Sequence, residues 1–122
     1  MAVTTTTASD PLVKTIVTDT DSDTTVEVAA SAAHDLFFVE VSNPNNVAVY
    51  TKIFNTASGS TNQTQHYLQL YCPANSTCYT YIPTSIPIAN GIQFYTSLEP
   101  GKVQSQSNPD SDVTVTIGST VT

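Results

Sequence analysis

Apolar and polar residues alternate along much of this chain, which is typical of strands that bury one face. The alternation is strictest in residues 112–117, where Val113, Val115 and Ile117 share a face. Residues 36–42 repeat it with Phe37, Val39 and Val41. Shorter runs of the same kind span residues 12–17, 25–30, 47–54, 67–72, 77–82 and 91–97. No segment has helical periodicity, so the pattern predicts about eight strands.

Turn-forming residues separate these runs at intervals of roughly ten residues, which is typical of an all-β domain. Asn43–Asn46 predicts a tight turn that joins residues 36–42 and 47–54 into a hairpin. A Pro-Ala-Asn-Ser turn at 73–76 predicts a second hairpin between 67–72 and 77–82. Residues 83–90 are expected to form a crossing connection and residues 98–110 a long polar loop.

These elements predict a single antiparallel β-sandwich or jelly-roll-like domain over residues 12–122. Residues 1–11 are Thr-rich and of low complexity, which predicts a flexible N-terminal arm. The residues expected to be mostly buried are Val39, Val41, Ile53, Leu68, Leu70, Ile92, Phe94 and Val115.

The charge balance excludes some partners. Only three of the 122 residues are lysine and none is arginine, against 10 acidic residues, so the formal net charge is -7. Nucleic-acid binding requires clustered cations to neutralise phosphates, and an anionic membrane surface has the same requirement. Residues 1–11 carry no basic and apolar leader, and no apolar run approaches about 20 residues. We therefore expect a protein made in a cytosol that binds neither nucleic acid nor membrane.

Cys72 and Cys78 flank the 73–76 turn and are the only cysteines. If the hairpin forms, they face each other at disulfide distance. Two buried thiols are an equally good interpretation. No histidine lies between them or next to them, so the pair does not indicate a zinc site.

Asp19, Asp21 and Asp23 have the spacing that begins a calcium-binding loop. The loop's glycine and final glutamate are missing, since Thr24 and Ala30 stand at those positions. A solvated acidic turn over residues 19–25 is therefore the favoured interpretation, and a metal site is the weaker one.

Four of the six tyrosines, Tyr67, Tyr71, Tyr79 and Tyr81, alternate on the predicted cysteine hairpin. A tyrosine-rich face with few charges is typical of a contact surface for protein or sugar. Ordinary cross-strand packing is at least as good an explanation.

Catalytic patterns are absent from the sequence. His34 and His66 have no nucleophile motif nearby, and the chain contains no phosphate loop and no dinucleotide fingerprint. We expect a protein that is not an enzyme, has no catalytic residues and requires no cofactor.

The stretch from Val41 to Asn55 resembles small virion proteins of tailed phages, notably marine and cyanobacterial ones. In that pattern an Asn-rich turn precedes Val-Tyr-x-Lys, here Val49–Lys52. A Gly/Thr loop, an apolar strand, a Pro-Ala turn and a Gly-Ile-x-Phe strand follow, and the resemblance covers residues 38–96. Thr51 stands where the pattern usually has an apolar residue, and the cysteine pair is peculiar to this chain.

The resemblance implies a capsid-decorating, spike or tail-associated protein located in the virion. The first hypothesis is a decoration (cement) protein that binds the major capsid protein, or other virion proteins, as a homo-oligomer, with a trimer favoured. The second is a receptor- or glycan-binding domain of a tail fibre, and the third is a cellular adhesin-like module. A short chain that is expected to be complete from Met1 to Thr122 favours the first.

Overall fold

The computed structural model describes residues 3–7, 15–61, 63–102 and 105–122. These residues form nine β-strands and no helix. The strands are β1 (Val3–Thr7), β2 (Thr15–Ser22), β3 (Glu27–Ala30), β4 (His34–Asn43), β5 (Val49–Asn55), β6 (Leu68–Cys72), β7 (Ser76–Ile88), β8 (Ile92–Ser97) and β9 (Val113–Val121).

The strands form two antiparallel sheets that pack face to face. One sheet has five strands in the order β1-β2-β9-β4-β7, and the other has four in the order β3-β8-β5-β6. The chain therefore changes sheet at every step from β2 through β5, and again at every step from β6 through β9. Only β1–β2 and β5–β6 are neighbours both in sequence and in a sheet.

The pairing is nested around the β5–β6 connection. β5 pairs with β6, β4 with β7, β3 with β8 and β2 with β9. This arrangement equals one long antiparallel ribbon rolled into two sheets, which is the topology of a jelly roll. The predicted all-β sandwich is thus confirmed, with nine strands in place of about eight.

The core lies between the inner faces of the two sheets. Strand β9 contributes Val113, Val115 and Ile117, each fully buried, so the strict alternation of this segment is borne out. All the residues predicted to be buried face this core, and Leu68 and Leu70 on the edge strand β6 are only partly buried.

Both predicted hairpins are wrong. β4 and β5 lie in different sheets, and so do β6 and β7. The turn at Asn43–Asn46 therefore carries the chain across the sandwich rather than back along one sheet. Side chains drive the crossing, because Asn43 and Asn45 hydrogen-bond to backbone that follows β6 and precedes β9.

The crossing connection predicted over residues 83–90 is also wrong, because β7 continues to Ile88 beside β4. Its two prolines are tolerated since β7 is an edge strand, where one side of the backbone needs no partner. A bulge opposite Phe37 interrupts the pairing, and Ser85 within it has a φ of 63°.

Of residues 1–11, which were predicted to form a flexible arm, the structure describes residues 3–7. Residues 3–7 form β1, an edge strand that pairs with β2 from Val3↔Asp19 to Thr7↔Thr15. Threonine favours this outcome because its branched Cβ suits a pleated strand. The rest of the predicted arm, and residues 12–14 of the first predicted strand, lie outside the described residues.

Candidate functional site

An aromatic cluster lies on the outer face of the five-stranded sheet. Phe38 of β4 stacks on Tyr79 of β7, with ring centroids 5.5 Å apart and planes 24° apart. Tyr79 in turn lies 6.4 Å from Tyr81, with planes only 9° apart. The three rings are therefore nearly parallel, and about half of each tyrosine side chain is exposed.

Gly118 of β9 makes room for this cluster. It is the cross-strand partner of Phe38, and a Cβ at this position would lie 2.0 Å from Cε2 of the Phe38 ring. The phenylalanine ring thus leans across β9 over the glycine. This contact explains why residue 118 is glycine, because any side chain there would displace the Phe38 ring.

Hydroxyl groups and one carboxylate border the cluster. Tyr79 is the cross-strand partner of Glu40 on β4. The same row continues across β9, β2 and β1 with Thr116, Thr18 and Thr4, each the cross-strand partner of the residue before it. Partners in an antiparallel ladder project to the same face. The outer face therefore combines an aromatic part with a threonine-rich part.

The four predicted contact tyrosines do not share a face. Tyr79 and Tyr81 belong to the five-stranded sheet, whereas Tyr71 lies on β6 of the other sheet and Tyr67 directly precedes that strand. Tyr71 packs instead against Tyr50, with centroids 5.5 Å apart. All four side chains are about half exposed, on two different sheets.

Cys72 and Cys78 are free thiols in the structure. They come from different sheets rather than from one hairpin, yet they interact at the end of the sandwich. Burial first, and then hydrogen bonding and charge interaction with Cys78, raise the pKa of the Cys72 thiol to about 12. The Cys72 thiol is therefore protonated at neutral pH. The disulfide stays a prediction.

The solvated acidic turn over residues 19–25 is a wrong prediction. β2 runs to Ser22, and Asp19 is 1% exposed with its side chain toward the interior. Burial, and to a lesser extent Asp21 and Glu27, raise the pKa of the Asp19 carboxyl to about 7. Only Asp23 fits the expected turn, where its Oδ1 accepts a hydrogen bond from Thr25 N.

The two histidines are not brought together. His34 is buried, and its Nδ1 lies 2.8 Å from Ser119 Oγ. Burial lowers the pKa of His34, and burial together with Lys52 and Lys102 lowers that of His66. The His34–Ser119 pair faces the core, where a substrate has no access, so its role is packing.

Sequence reasoning missed Lys52, a fully buried lysine on the outer side of β5. Its Nζ donates to Ser97 Oγ, to Glu99 O and to Gln106 Oε1, and it lies 5.1 Å from the Tyr95 ring centroid. The ammonium thereby fastens the polar loop after β8 onto the sheet. Burial lowers the pKa of Lys52 to about 8, and Glu99 opposes this.

One open cavity of about 310 Å³ lies beside the turns at one end of the sandwich. Its lining residues are Ser42, Asn43, Pro44, Asn75, Ser76 and Thr77. The Asn43 amide is directed into hydrogen bonds within the protein rather than toward this cavity. The residues that line the cavity carry hydroxyl and amide groups and no charged group.

Within residues 3–7, 15–61, 63–102 and 105–122, no group of three or more His, Cys, Asp or Glu side chains is assembled for a metal ion. The same residues contain no helix long and apolar enough to span a membrane. Comparisons with protein-family models, with curated proteins and with solved structures found no match to this chain.

Proposed function

We propose that this chain is a non-enzymatic structural protein of a tailed-phage virion, and specifically a decoration protein that binds the assembled head. The observation that carries the proposal is the exposed aromatic cluster of Phe38, Tyr79 and Tyr81 on a broad sheet face. Aromatic side chains of this kind dominate the energetics of protein interfaces.

The surroundings of the cluster suit an interface. Threonine hydroxyls and Glu40 border it, so an apolar centre has a polar rim, which is the usual anatomy of a protein contact. Of the two described lysines, Lys52 is buried, and Lys102 is exposed in the loop after β8. The surface is thus strongly acidic, and a cationic patch on the partner would complement it.

The fold and the resemblance to phage virion proteins support the same proposal. Jelly rolls recur in viral capsid proteins and in lectins, although a fold alone does not determine function. The resembling segment, residues 38–96, contains the larger part of β4, all of β5, β6 and β7, and most of β8. The segment includes all three residues of the aromatic cluster.

The proposed partner is the major capsid protein, engaged by a homo-oligomer with a trimer favoured. A cyclic oligomer matches local symmetry axes of a shell, and linked contacts raise avidity without requiring any single strong contact. Since β1 already pairs with β2, the proposal relies on valency and the aromatic face rather than on an arm exchanged between neighbours.

Mixing the purified protein with undecorated phage heads tests the proposal, with bound protein scored by negative-stain microscopy and co-sedimentation. Tyr79→Ala with Tyr81→Ala should weaken binding at least tenfold, since buried interface tyrosines each contribute about 1–2 kcal/mol or more. Tyr71→Ala, a tyrosine of equal exposure on the other sheet, is the matched control and should bind normally. Equal binding by the double variant, or no binding by the unaltered protein, contradicts the proposal.

The nearly parallel rings also favour the second candidate, a glycan-binding domain of a tail fibre. Exposed aromatic rings bordered by hydroxyl groups and a carboxylate suit the apolar face of a sugar ring. Glycan-array binding that Tyr79→Ala abolishes, together with failure to bind heads, would favour this candidate over the first.

A further inference from the structure

A lysine amine and a glutamine amide meet under the loop that follows β8. Nζ of Lys52, whose side chain is fully buried, lies 3.1 Å from Oε1 of Gln106. Because a carbonyl bond is about 1.23 Å long, Nζ is at most about 4.3 Å from Cδ, the amide carbon of Gln106. A nucleophile in position to react lies about 3–3.5 Å from the atom that it attacks, so the amine needs to move by no more than about 1 Å.

The surroundings of Lys52 favour the neutral, nucleophilic form of its amine. The acceptors of its hydrogen bonds are all neutral groups, namely Ser97 Oγ, Glu99 O and Gln106 Oε1. The Tyr95 ring covers the amine, with its centroid 5.1 Å from Nζ. Burial lowers the pKa of Lys52 to about 8, so about a tenth of the amine is unprotonated at pH 7. Desolvated lysines with a lowered pKa act as nucleophiles in proteins.

The Gln106 amide is polarised and held in place by its neighbours. Ser97 Oγ lies 2.5 Å from Oε1 of Gln106, where its proton stabilises the negative charge that this oxygen gains during attack. The next residue fixes the loop, because Ser107 N donates to Glu99 Oε1 at 2.6 Å and Ser107 O accepts from Leu98 N at 3.1 Å. Two reactants held in one geometry react much faster than the same groups free in solution.

We propose that Lys52 and Gln106 join in an intramolecular isopeptide bond that forms without an enzyme. Nζ bonds to Cδ of Gln106 while the carbonyl electron pair moves to Oε1, and the return of that pair breaks the bond from Cδ to Nε2. The proton lost by Nζ passes to Nε2, which leaves as ammonia. Glu99 carries this proton, since its backbone oxygen contacts Nζ and its carboxylate interacts with Lys52. An amine and a primary amide thus become a secondary amide and ammonia.

The bond attaches the loop after β8 covalently to β5, an interior strand of the four-stranded sheet. A cross-link between distant residues stabilises a fold mainly by restricting the unfolded chain, and this one joins residue 52 to residue 106. A chain that has reacted has no titrating amine at Lys52, so any pH dependence of stability due to this lysine belongs to unreacted chain. The inference is independent of the proposed virion role, because its test requires only the purified protein.

Intact-mass spectrometry provides the test, after incubation of the folded protein at about pH 9, where the Lys52 amine is mostly neutral. The mass should be about 17 Da below the value calculated from the sequence, with or without Met1, because one ammonia is lost. Tandem mass spectrometry of a proteolytic digest should find a branched peptide that joins residue 52 to residue 106. The full calculated mass, with no branched peptide, would overturn the proposal.

Lys52→Met and Gln106→Leu should each restore the full calculated mass. The matched control is Lys102→Met, which changes an exposed lysine of the same loop and should keep the mass deficit. A deficit that persists in Lys52→Met and disappears with hydroxylamine would indicate an ester of Ser97 and contradict the proposal. A deficit that persists in both variants would assign the lost ammonia to other amides, with the same consequence. Circular dichroism checks that each variant folds, and if one does not, the branched peptide of the unaltered protein decides.

Discussion

Replacing Asn43 by alanine should be among the most destabilising single changes in this domain. Asn43 ends β4 and is buried. Its Nδ2 donates to the carbonyl oxygens of Val47 at 3.0 Å, Cys72 at 3.3 Å and Pro73 at 3.0 Å. The Oδ1 of Asn43 accepts two hydrogen bonds from Asn45, one from its backbone N at 3.0 Å and one from its side-chain Nδ2 at 2.9 Å. One amide thus connects both sheets and the turn between β4 and β5.

The expected magnitude follows from these contacts. The Asn43 side chain donates two N–H groups, which three carbonyls share, and its oxygen accepts two further hydrogen bonds. We count these as about four hydrogen bonds at about 1 kcal/mol each. The free energy of unfolding should therefore fall by about 4 kcal/mol, a large part of the about 5–15 kcal/mol typical of a domain. Water entering the vacated space would reduce the loss by satisfying some carbonyls.

Urea unfolding followed by circular dichroism measures the change. The midpoint should fall by about 2 M while the slope stays constant, which reports lost stability without a change in compactness. Asn46→Ala, an exposed residue of the same turn, is the matched control and should alter stability by less than about 0.5 kcal/mol. A loss below about 1 kcal/mol for Asn43→Ala would refute the assignment of this amide as the link between the sheets.

Three further outcomes are expected. Gly91→Ala should lower the free energy of unfolding by about 2 kcal/mol or more, because Gly91 has a φ of +128° and a Cβ would lie 2.8 Å from the backbone oxygen of Ala30. Chemical denaturation measures this loss, and an unchanged stability would contradict the prediction. The free energy of unfolding should rise between pH 8 and 10.5, because Lys52 has lost its proton in the folded protein while the same lysine is still protonated in the unfolded chain. The rise should be absent in Lys52→Met, and a rise that persists in this variant would be assigned to other titrating groups. Oxidation of Cys72 and Cys78 should add about 2 kcal/mol by closing a small loop. If the proposed virion role holds, mass spectrometry of unfolded protein from those particles should find both thiols blocked until reductant is added, and alkylation without reductant would count against this.

Strand identity was largely readable from the sequence. β9 is recognisable in the sequence because Val113, Val115 and Ile117 alternate with threonines. A strand with one buried face requires only this two-residue alternation of apolar and polar side chains. The solvent face of β4 was equally readable, since Phe38 and Glu40 fall on the side opposite Val39. The aromatic cluster could have been anticipated from Phe38, an aromatic residue placed on an outward position.

The candidate sites depended more heavily on distant contacts. The alternating aspartates suggested a solvated turn, yet Asp19 is buried because β2 continues beside β9, a strand almost a hundred residues later in the chain. Glu27 attracted no attention in the sequence, since its relation to Asp19 arises only when two sheets meet. The four tyrosines were expected to share one face, but their division between the two sheets follows from the same packing.

The sequence by itself determined an all-β domain, the main strands, the core residues and an acidic surface, because each follows from local period or composition. Only the tertiary structure decided which strands pair. Turn residues such as Asn43–Asn46 permit either a return along one sheet or a crossing to the other. The choice is made by burial of both sheet faces and by side-chain links such as Asn43 to Pro73, which join residues far apart in sequence. Nested pairing from β5–β6 outward satisfies all of these contacts at once, and no short segment contains that information.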